Sequence, residues 1–408
     1  MRILAVLFIA ILLPDGGAPA QLSTGDYVVV QQTSSPTSPA LISVDRKGTA
    51  TTLVVAPVNH IVAEPRMDVG NHDLVATFNQ RSSSAGSLVR ITPAGNVVTL
   101  AAVPSIVIPR AIEVDADGSY LLYGSSDVLQ RSAGGKVVSL ANLPAPFGGF
   151  AMTIDPMTGY YWMVGFGGAM AYMDHRSHVV TTLLPAGFRY TTGMDHDEAT
   201  DTFAFCSETL QTVFFADRNF QIVTSFATTA QNWSLRLSPE TGNVHVLDGN
   251  STVTEWTRNG VVVRTTLLPV RAGFFSLEVY GSRPVSGVGS AARGTAYQLR
   301  IGFPGAAKLP YVAALSLGGL RPGIGLPDGR QIAMAVDPLF LLTAAHGDIP
   351  GITRGLRGTL SAAGQATATI TIPVGLPGGL RVFATAVVLD ATAPVGLRIG
   401  NTWAFEIR

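Results

Sequence analysis

The sequence predicts an all-β protein in two folded parts, and three observations carry that prediction. Glycine and proline are abundant, 44 and 25 among 408 residues, and punctuate the chain with turns. Hydrophobic residues make up 47% and charged residues only 13%, about half the usual ~25%. The apolar residues come in short runs bounded by Gly, Pro, Asp and Ser, as strands do.

The chain opens with Met1-Arg2, an apolar stretch at 3–13, the breaker Pro14-Asp15-Gly16-Gly17, and small residues at Ala18 and Ala20. This order predicts a signal peptide over 1–20, cleaved near Ala20, and export to the periplasm or the extracellular space. The stretch is too short to span ~30 Å of hydrocarbon, so no membrane span is expected. Cys206 is the sole cysteine, which excludes an intrachain disulfide and reads as a small buried residue in a strand. Lys plus Arg balances Asp plus Glu, 27 against 27. A chain with no basic surplus does not bind nucleic acid by bulk charge.

One unit then recurs. A short apolar strand runs into an Asp/Gly turn, then come an aromatic or aliphatic strand, a second turn and a β-branched closing strand. Ala111-Ile112-Glu113-Val114-Asp115 leads into Tyr120-Leu121-Leu122-Tyr123, and Ala151-Met152-Thr153-Ile154-Asp155 into Tyr160-Tyr161-Trp162. Gly193-Met194-Asp195-His196-Asp197 leads into Thr202-Phe203-Ala204, and Ser234-Leu235-Arg236-Leu237-Ser238 into Val244-His245-Val246. An earlier copy runs Met67-Asp68-Val69 into Leu74-Val75. The turn anchors Asp115, Asp155, Asp197 and Ser238 lie 40, 42 and 41 residues apart. A four-stranded unit of about 40–45 residues is the size of a β-propeller blade.

Closing strands fall at 51–55, 97–100, 136–140, 179–184, 222–226 and 261–268. They predict a six-bladed β-propeller over about 24–281, with seven blades as the alternative count. The first unit lacks an opening strand, and a spare one stands at 275–279. Its return to the first unit closes the ring and removes open edges.

The punctuation Val114-Asp115-Ala116-Asp117-Gly118 before Tyr120 resembles that of NHL-type and gluconolactonase-like six-bladed propellers. The resemblance implies blades around a central channel. Gluconolactonase-like enzymes hold a metal through Glu, Asn and Asp near the entries to the innermost strands. Here Arg66, Arg110, Phe150 and Trp233 stand at the comparable places, with Glu64 the only acid nearby. The resemblance therefore does not bring the hydrolase reaction with it.

A Gly/Ser/Pro linker is expected at 282–293. Beyond it the repeat stops, and strands at 296–301, 311–317, 331–336, 356–360, 366–372, 380–389 and 402–407 alternate with turn signals. This predicts a C-terminal β-sandwich over 294–408. Asp328-Gly329-Arg330, Asp337-Pro338-Leu339 and Val387-Val388-Leu389-Asp390 resemble the C-terminal β-sandwiches of many secreted bacterial proteins. That resemblance implies an exported appendage and no reaction.

Two rings of candidate residues follow. Arg66, Arg110, Phe150, Tyr190, Trp233 and Phe274 are expected at the strand entries on one face, where they suit stacking on a sugar or aryl ring beside a cation. The competing reading is that the aromatics fill gaps between blades. Deeper in, Asp68, Glu113, Asp195 and Glu278 offer hard oxygen ligands for a divalent cation such as calcium. The competing reading there is inter-blade salt bridges with Arg66, Arg110 and Arg236. Asp115-Ala116-Asp117-Gly118 lacks the rest of a calcium loop and reads as a β-turn. The pair His175 and His178, and His196 between Asp195 and Asp197, could bind zinc, but the pair falls in a hairpin turn and no third ligand is placed, so they read as solvated turn residues. No Gly-x-Ser-x-Gly elbow, phosphate loop or His-Glu-x-x-His occurs. The expectation is a monomeric, non-enzymatic binding protein that takes a small molecule, glycan or protein at the propeller face. A metal-assisted hydrolase or lyase acting in the channel is the alternative.

Overall fold

The computed structural model describes residues 22, 25–31, 38–62, 65–68, 72–80, 86–104, 109–124, 128–143, 148–183, 188, 190–272 and 277–408. The expected signal peptide at 1–20, Glu64, Phe274 and the start of the strand at 275–279 lie outside these residues. Among them no helix is long and apolar enough to cross a membrane.

The repeat builds antiparallel meanders in which consecutive strands pair. Gly149–Ile154, Tyr161–Gly165, Met170–Met173 and Val180–Leu183 form one four-stranded sheet. Thr191–Asp197, Thr202–Ser207, Thr212–Ala216 and Ile222–Ala227 form the next, and Asn232–Leu237, Val244–Asp248, Thr252–Trp256 and Val262–Leu267 the one after. Pro109–Val114, Tyr120–Gly124, Val128–Ala133 and Lys136–Asn142 repeat the pattern. Their outer strand meets the outer strand Val97–Val103 of the preceding meander at one parallel bridge, Lys136 with Ala102. In that preceding meander Gly86–Ile91 lies between Val97–Val103 and Asp73–Gln80, and His60–Val62 and Arg66–Asp68 both pair with Asp73–Gln80. Finally, Tyr27–Gln31, Ala40–Val44 and Ala50–Val55 pair in order, and Glu278–Val279 takes the free side of Tyr27–Gln31. Val28 stands opposite Glu278 and Tyr27 opposite Val279, so the two ends of the repeat share one sheet.

Burial follows strand position. Thr191–Asp197 and Asn232–Leu237 are buried at every residue, whereas Ile222–Ala227 is exposed at nearly all. An innermost strand covered on both faces needs an apolar or paired residue at each position, so it shows no period-2 alternation. Successive sheets pack face to face. Leu121 and Tyr123 meet Met152 and Met163, and Trp162 and Val164 meet Phe203 and Phe205. Phe188 stands edge-on to Phe205 and Phe214 at 5.2 and 4.9 Å. Each fully buried ring of this kind contributes about 1.5–3 kcal/mol. Cys206 is buried beside Val213 and Leu235, as its sequence context implies.

Two larger sheets follow, with a two-stranded ribbon, Ile324–Gly325 on Gln331–Ile332, beside them. One orders Val285–Val288, Ala296–Gly302, Gln365–Thr371 and Thr353–Arg354. The other orders Arg357–Thr359, Pro310–Ser316, Arg381–Leu389 and Leu397–Ile399, with Trp403–Glu406 also on Arg381–Leu389. Leu299, Ile301 and Ile370 of the first share one core with Ala384, Val388 and Phe405 of the second. The segment expected as a linker is built in. Val285–Val288 is a strand of the first sheet, and Gly287 lets Tyr297 Oη come within 1.7 Å of where a Cβ would stand. The strand expected at 331–336 shrinks to Gln331–Ile332. Pro338–His346 is a helix, capped by Asp337, which accepts the Phe340 N–H, and ended at Gly347.

These C-terminal sheets sit against the hairpin turns that follow the innermost strands. Tyr297 Oη donates to the Ala116 carbonyl at 2.5 Å and Arg381 Nη1 to the Pro156 carbonyl at 2.9 Å. The Thr402 N–H donates to Glu198 at 2.5 Å, and Arg398 to Glu240 at 3.0 Å. The four acceptors lie in four successive turns of the repeat.

Candidate functional site

Six residues occupy one register on the innermost strands. Arg66 stands opposite Val75, Glu113 opposite Leu121, Thr153 opposite Trp162, Asp195 opposite Ala204, Arg236 opposite His245 and Glu278 opposite Val28. All six are buried, and their charges interlock. Arg66 donates to Glu113 at 2.5 Å and to Glu278 at 3.2 Å, and Arg236 reaches Glu278 at 3.4 Å. Thr153 carries no charge, and Arg283 fills that gap from beyond the repeat. It bonds Glu113 at 3.1 Å on one side and Asp195 at 2.5 Å on the other. Around the channel the order is Arg66, Glu113, Arg283, Asp195, Arg236, Glu278, three cations alternating with three anions. Burial works to raise the Asp195 carboxyl, but the fields of Arg283, Arg66 and Arg236 and the Leu237 N–H override it and hold the group at about 2.

This arrangement bears on the four proposed cation ligands. Glu113, Asp195 and Glu278 do converge, but each already faces at least one guanidinium, and the ring sums to zero charge. A divalent cation entering it would have to displace arginines. Asp68 is not in the ring. It lies two residues beyond Arg66, in step with Asp115 two residues beyond Glu113, and belongs with the turn acids. There it accepts Tyr120 Oη at 2.7 Å, and burial pushes its carboxyl up.

The turn acids form a second set, each held by a residue of the following meander. Tyr120 holds Asp68, Tyr161 holds Asp115 at 2.9 Å, Arg218 holds Asp155 and Arg258 holds Asp197 at 2.5 Å. Asp115-Ala116-Asp117-Gly118 is a β-turn. The Gly118 N–H donates to the Asp115 carbonyl, the Ser119 N–H to Asp117 Oδ1, and Arg131 pairs with both carboxylates. Asp155, His196 and Asp201 place possible ligand atoms within 4.8 Å of one another. Arg218 donates to both of these carboxylates and is the cation they already hold.

At the other end of the innermost strands, the expected entry residues partly converge. A β-bulge recurs there, and the extra residue is Arg110, Phe150, Thr192 or Trp233 in successive meanders. Bulges re-aim side chains where pairing ends. The Arg110 guanidinium lies 5.7 Å from the centre of the Phe150 ring, and burial lowers its pKa. Phe150 and Trp233 are nearly covered, which fits filling of the channel as well as a stacking platform. Tyr190 precedes the bulge, at positive φ and 41% exposed, and Thr192 takes the equivalent place, donating to the Asn232 carbonyl at 2.7 Å. Arg66 sits deeper, in the charged ring.

Sequence reasoning missed three residues that matter. Arg283 lies in the expected linker, Arg381 in a strand of the C-terminal part, and Glu198 directly after the acidic Asp195-His196-Asp197. Burial pushes the Glu198 carboxyl up to about 7 against the Thr402 N–H it accepts. The run of charges at 195–198 was the available signal for it.

No family model matches this chain and no curated protein does. Solved structures do. A chain of the nidogen/laminin complex superposes with a TM-score of 0.52 at 10% identity, over 63% of this chain and 98% of that one. The WD40 β-propeller domain of Doa1 gives 0.46 at 12% identity, over 61% and 84%. Virginiamycin B lyase from Staphylococcus aureus gives 0.43 at 12% identity, over 68% and 94%. The repeated four-stranded meanders, joined end to end through Glu278–Val279, and the superposition on the nidogen/laminin chain make the fold of the repeat a β-propeller.

Proposed function

We propose that this chain is an exported binding protein, a six-bladed propeller over about 24–281 carrying a β-sandwich over 294–408. Its ligand, a glycan or another cell-surface component, docks at the bulged mouth marked by Arg110, Phe150 and Trp233, with Tyr190 at the rim. The alternating ring supports binding over catalysis. Glu113, Asp195 and Glu278 are the only carboxylates of the ring, and arginines hold all three, so none is poised as a general base or metal ligand. The pairing of Glu278–Val279 with the first strand supports the count of six.

A glycan array followed by titration of the best hit tests this reading. Arg110→Ala and Tyr190→Ala are expected to weaken binding by roughly 10- to 100-fold with little change in melting temperature. A saturable rise in melting temperature with Ca²⁺, lost in Glu113→Gln, would overturn it in favour of the metal-assisted enzyme. Export is tested separately. N-terminal sequencing of the secreted protein is expected to begin at Gln21.

A further inference from the structure

Between the hairpin turns and the C-terminal sheets lies a cavity of about 80 Å³. One water needs roughly 10–15 Å³, so several waters or one phosphate-sized ion fit. Asp115 and Asp117, Asp155, Glu406 and Arg283 line it, and each has a partner of opposite charge: Arg131, Arg218, Arg176, and the pair Glu113 and Asp195; Glu198 and the exposed Arg408 complete its charged lining beside Arg381.

Arg381 differs. Its Nη1 donates to the Pro156 carbonyl at 2.9 Å, and among the described residues no carboxylate forms an ion pair with it. Burial disfavours its charge, with Glu406, Asp155 and Asp115 only partly offsetting that from a distance. A guanidinium does not shed its proton, so the missing compensation is an anion.

His175 stands beside it. Its Nε2 faces Glu406 at 3.3 Å, and its Nδ1 has no partner. Arg176 donates to Glu406, which faces His175 as an acceptor, and burial lowers the pKa of the His175 ring; the ring proton therefore sits on Nε2 and Nδ1 presents a lone pair. His196 repeats the pattern, with Nε2 at 3.2 Å from Asp201 and Nδ1 unpartnered. Arg381 Nη2 and His175 Nδ1 converge over Gly159, as the side-chain atoms closest to where its Cβ would stand. The cavity thus presents strong donors from Arg381, a lone pair from His175 and the unpartnered Nδ1 of His196. A bare oxyanion satisfies only the donors, whereas an oxyanion bearing its own hydroxyl satisfies both.

We propose that this cavity binds a small hydroxyl-bearing oxyanion, hydrogenphosphate or a short hydroxycarboxylate, held by Arg381 with His175 and His196. The ligand sits where the two parts of the chain meet and is independent of the propeller mouth.

Calorimetric titration of the full chain with inorganic phosphate, glycolate and sulfate at matched ionic strength tests this. Phosphate or glycolate binds, and whichever is tighter assigns the source. Sulfate lacks a hydroxyl near neutral pH and binds at least about tenfold weaker. Arg381→Gln lowers affinity by roughly 10- to 100-fold, and Arg381→Lys restores part of it. Should Arg381→Gln fail to fold, Glu198→Gln provides the second readout, since its amide oxygen still accepts the Thr402 N–H. Glu198 is flanked by His196, Asp195 and Arg283, and its ionisation places a negative charge at the cavity wall. Affinity of the native chain for glycolate, whose own charge is constant over this range, therefore falls as pH rises through about 7, and in Glu198→Gln it does not. Equal binding of all three probes, no binding of any, or a folded Arg381→Gln that binds phosphate as the native chain does overturns the proposal.

Discussion

The centre of the propeller and the centre of the C-terminal part bury their side chains by opposite means. In the C-terminal core Leu299, Ile301 and Ile370 meet Ala384, Val388 and Phe405, and the buried Arg398 of this part turns outward to Glu240 of the propeller. In the propeller, six charged groups alternate around the channel, five of them nearly inaccessible. An apolar core accepts many arrangements that fill its volume. An alternating ring is more demanding, because moving any member out of place leaves a buried charge without its partner. The ring therefore favours one register of the sheets, and through Arg283 it ties the start of the C-terminal part to Glu113 and Asp195.

The sharpest way to break this contrast is to remove one member of the ring. Arg66→Ala strips both Glu113 and Glu278 of a partner and is expected to cost about 3–5 kcal/mol, read as a lower urea midpoint. Ile301→Val in the other core is expected to cost about 0.5–1.5 kcal/mol. The double variant Arg66→Met, Glu113→Leu should recover part of the first loss, since it leaves fewer uncompensated buried charges. A double variant no better than Arg66→Ala would show that shape, not charge balance, holds the channel.

A pH titration sharpens the comparison with a smaller effect. Asp195 and Glu198 lie three residues apart and are shifted in opposite senses. The Asp195 carboxyl is held down at about 2, below its ordinary 3.8, so its stabilisation is present above that ordinary value and is lost as pH falls through about 2. Glu198 is pushed up from 4.5 to about 7. Its folded form holds the proton more tightly, so its contribution is complete below 4.5 and is lost as pH rises through about 7. Chemical denaturation between mildly acid and mildly alkaline pH should show stability falling by roughly 1–3 kcal/mol. Glu198→Gln should flatten that fall. A flat profile in the native chain would remove Glu198 from the contact between the two parts.

Much of the fold is legible in the sequence because it is local and repeated. The spacing of Asp115, Asp155, Asp197 and Ser238 reports the turn after each innermost strand, and the structure places each of them there. What the sequence conceals is register and distance. In the first copy Met67-Asp68-Val69 matches Ile112-Glu113-Val114 in chemical type, yet Arg66, opposite Val75, is the residue in line with Glu113. The ring's sixth charge comes from Arg283, 170 residues from Glu113, and no local pattern points to it. The helix Pro338–His346 escapes a periodicity reading because Leu339, Phe340, Leu341 and Leu342 leave it no polar face. Only its capping residues, Asp337 and Gly347, mark it.

The turn acids offer the mildest test, outside the ring and outside the apolar cores. Among the described residues Tyr120→Phe removes the only side-chain donor to Asp68, while Tyr161→Phe leaves Asp115 paired with Arg131 at 3.0 Å. A buried acceptor that loses its partner costs more than one that keeps another. Asp68 has a way out, because burial already favours its protonated form, and that limits the loss. Tyr120→Phe is therefore expected to cost about 1–1.5 kcal/mol and Tyr161→Phe about 0.5 kcal/mol, both by urea midpoint. The Tyr120→Phe loss should shrink in acid, where the Asp68 carboxyl is neutral in folded and unfolded chains alike. If Tyr161→Phe proved the costlier of the two, the phenol and not the arginine would be the main partner of Asp115, and the hold of each meander on the preceding turn would rest on tyrosine throughout the first half of the propeller.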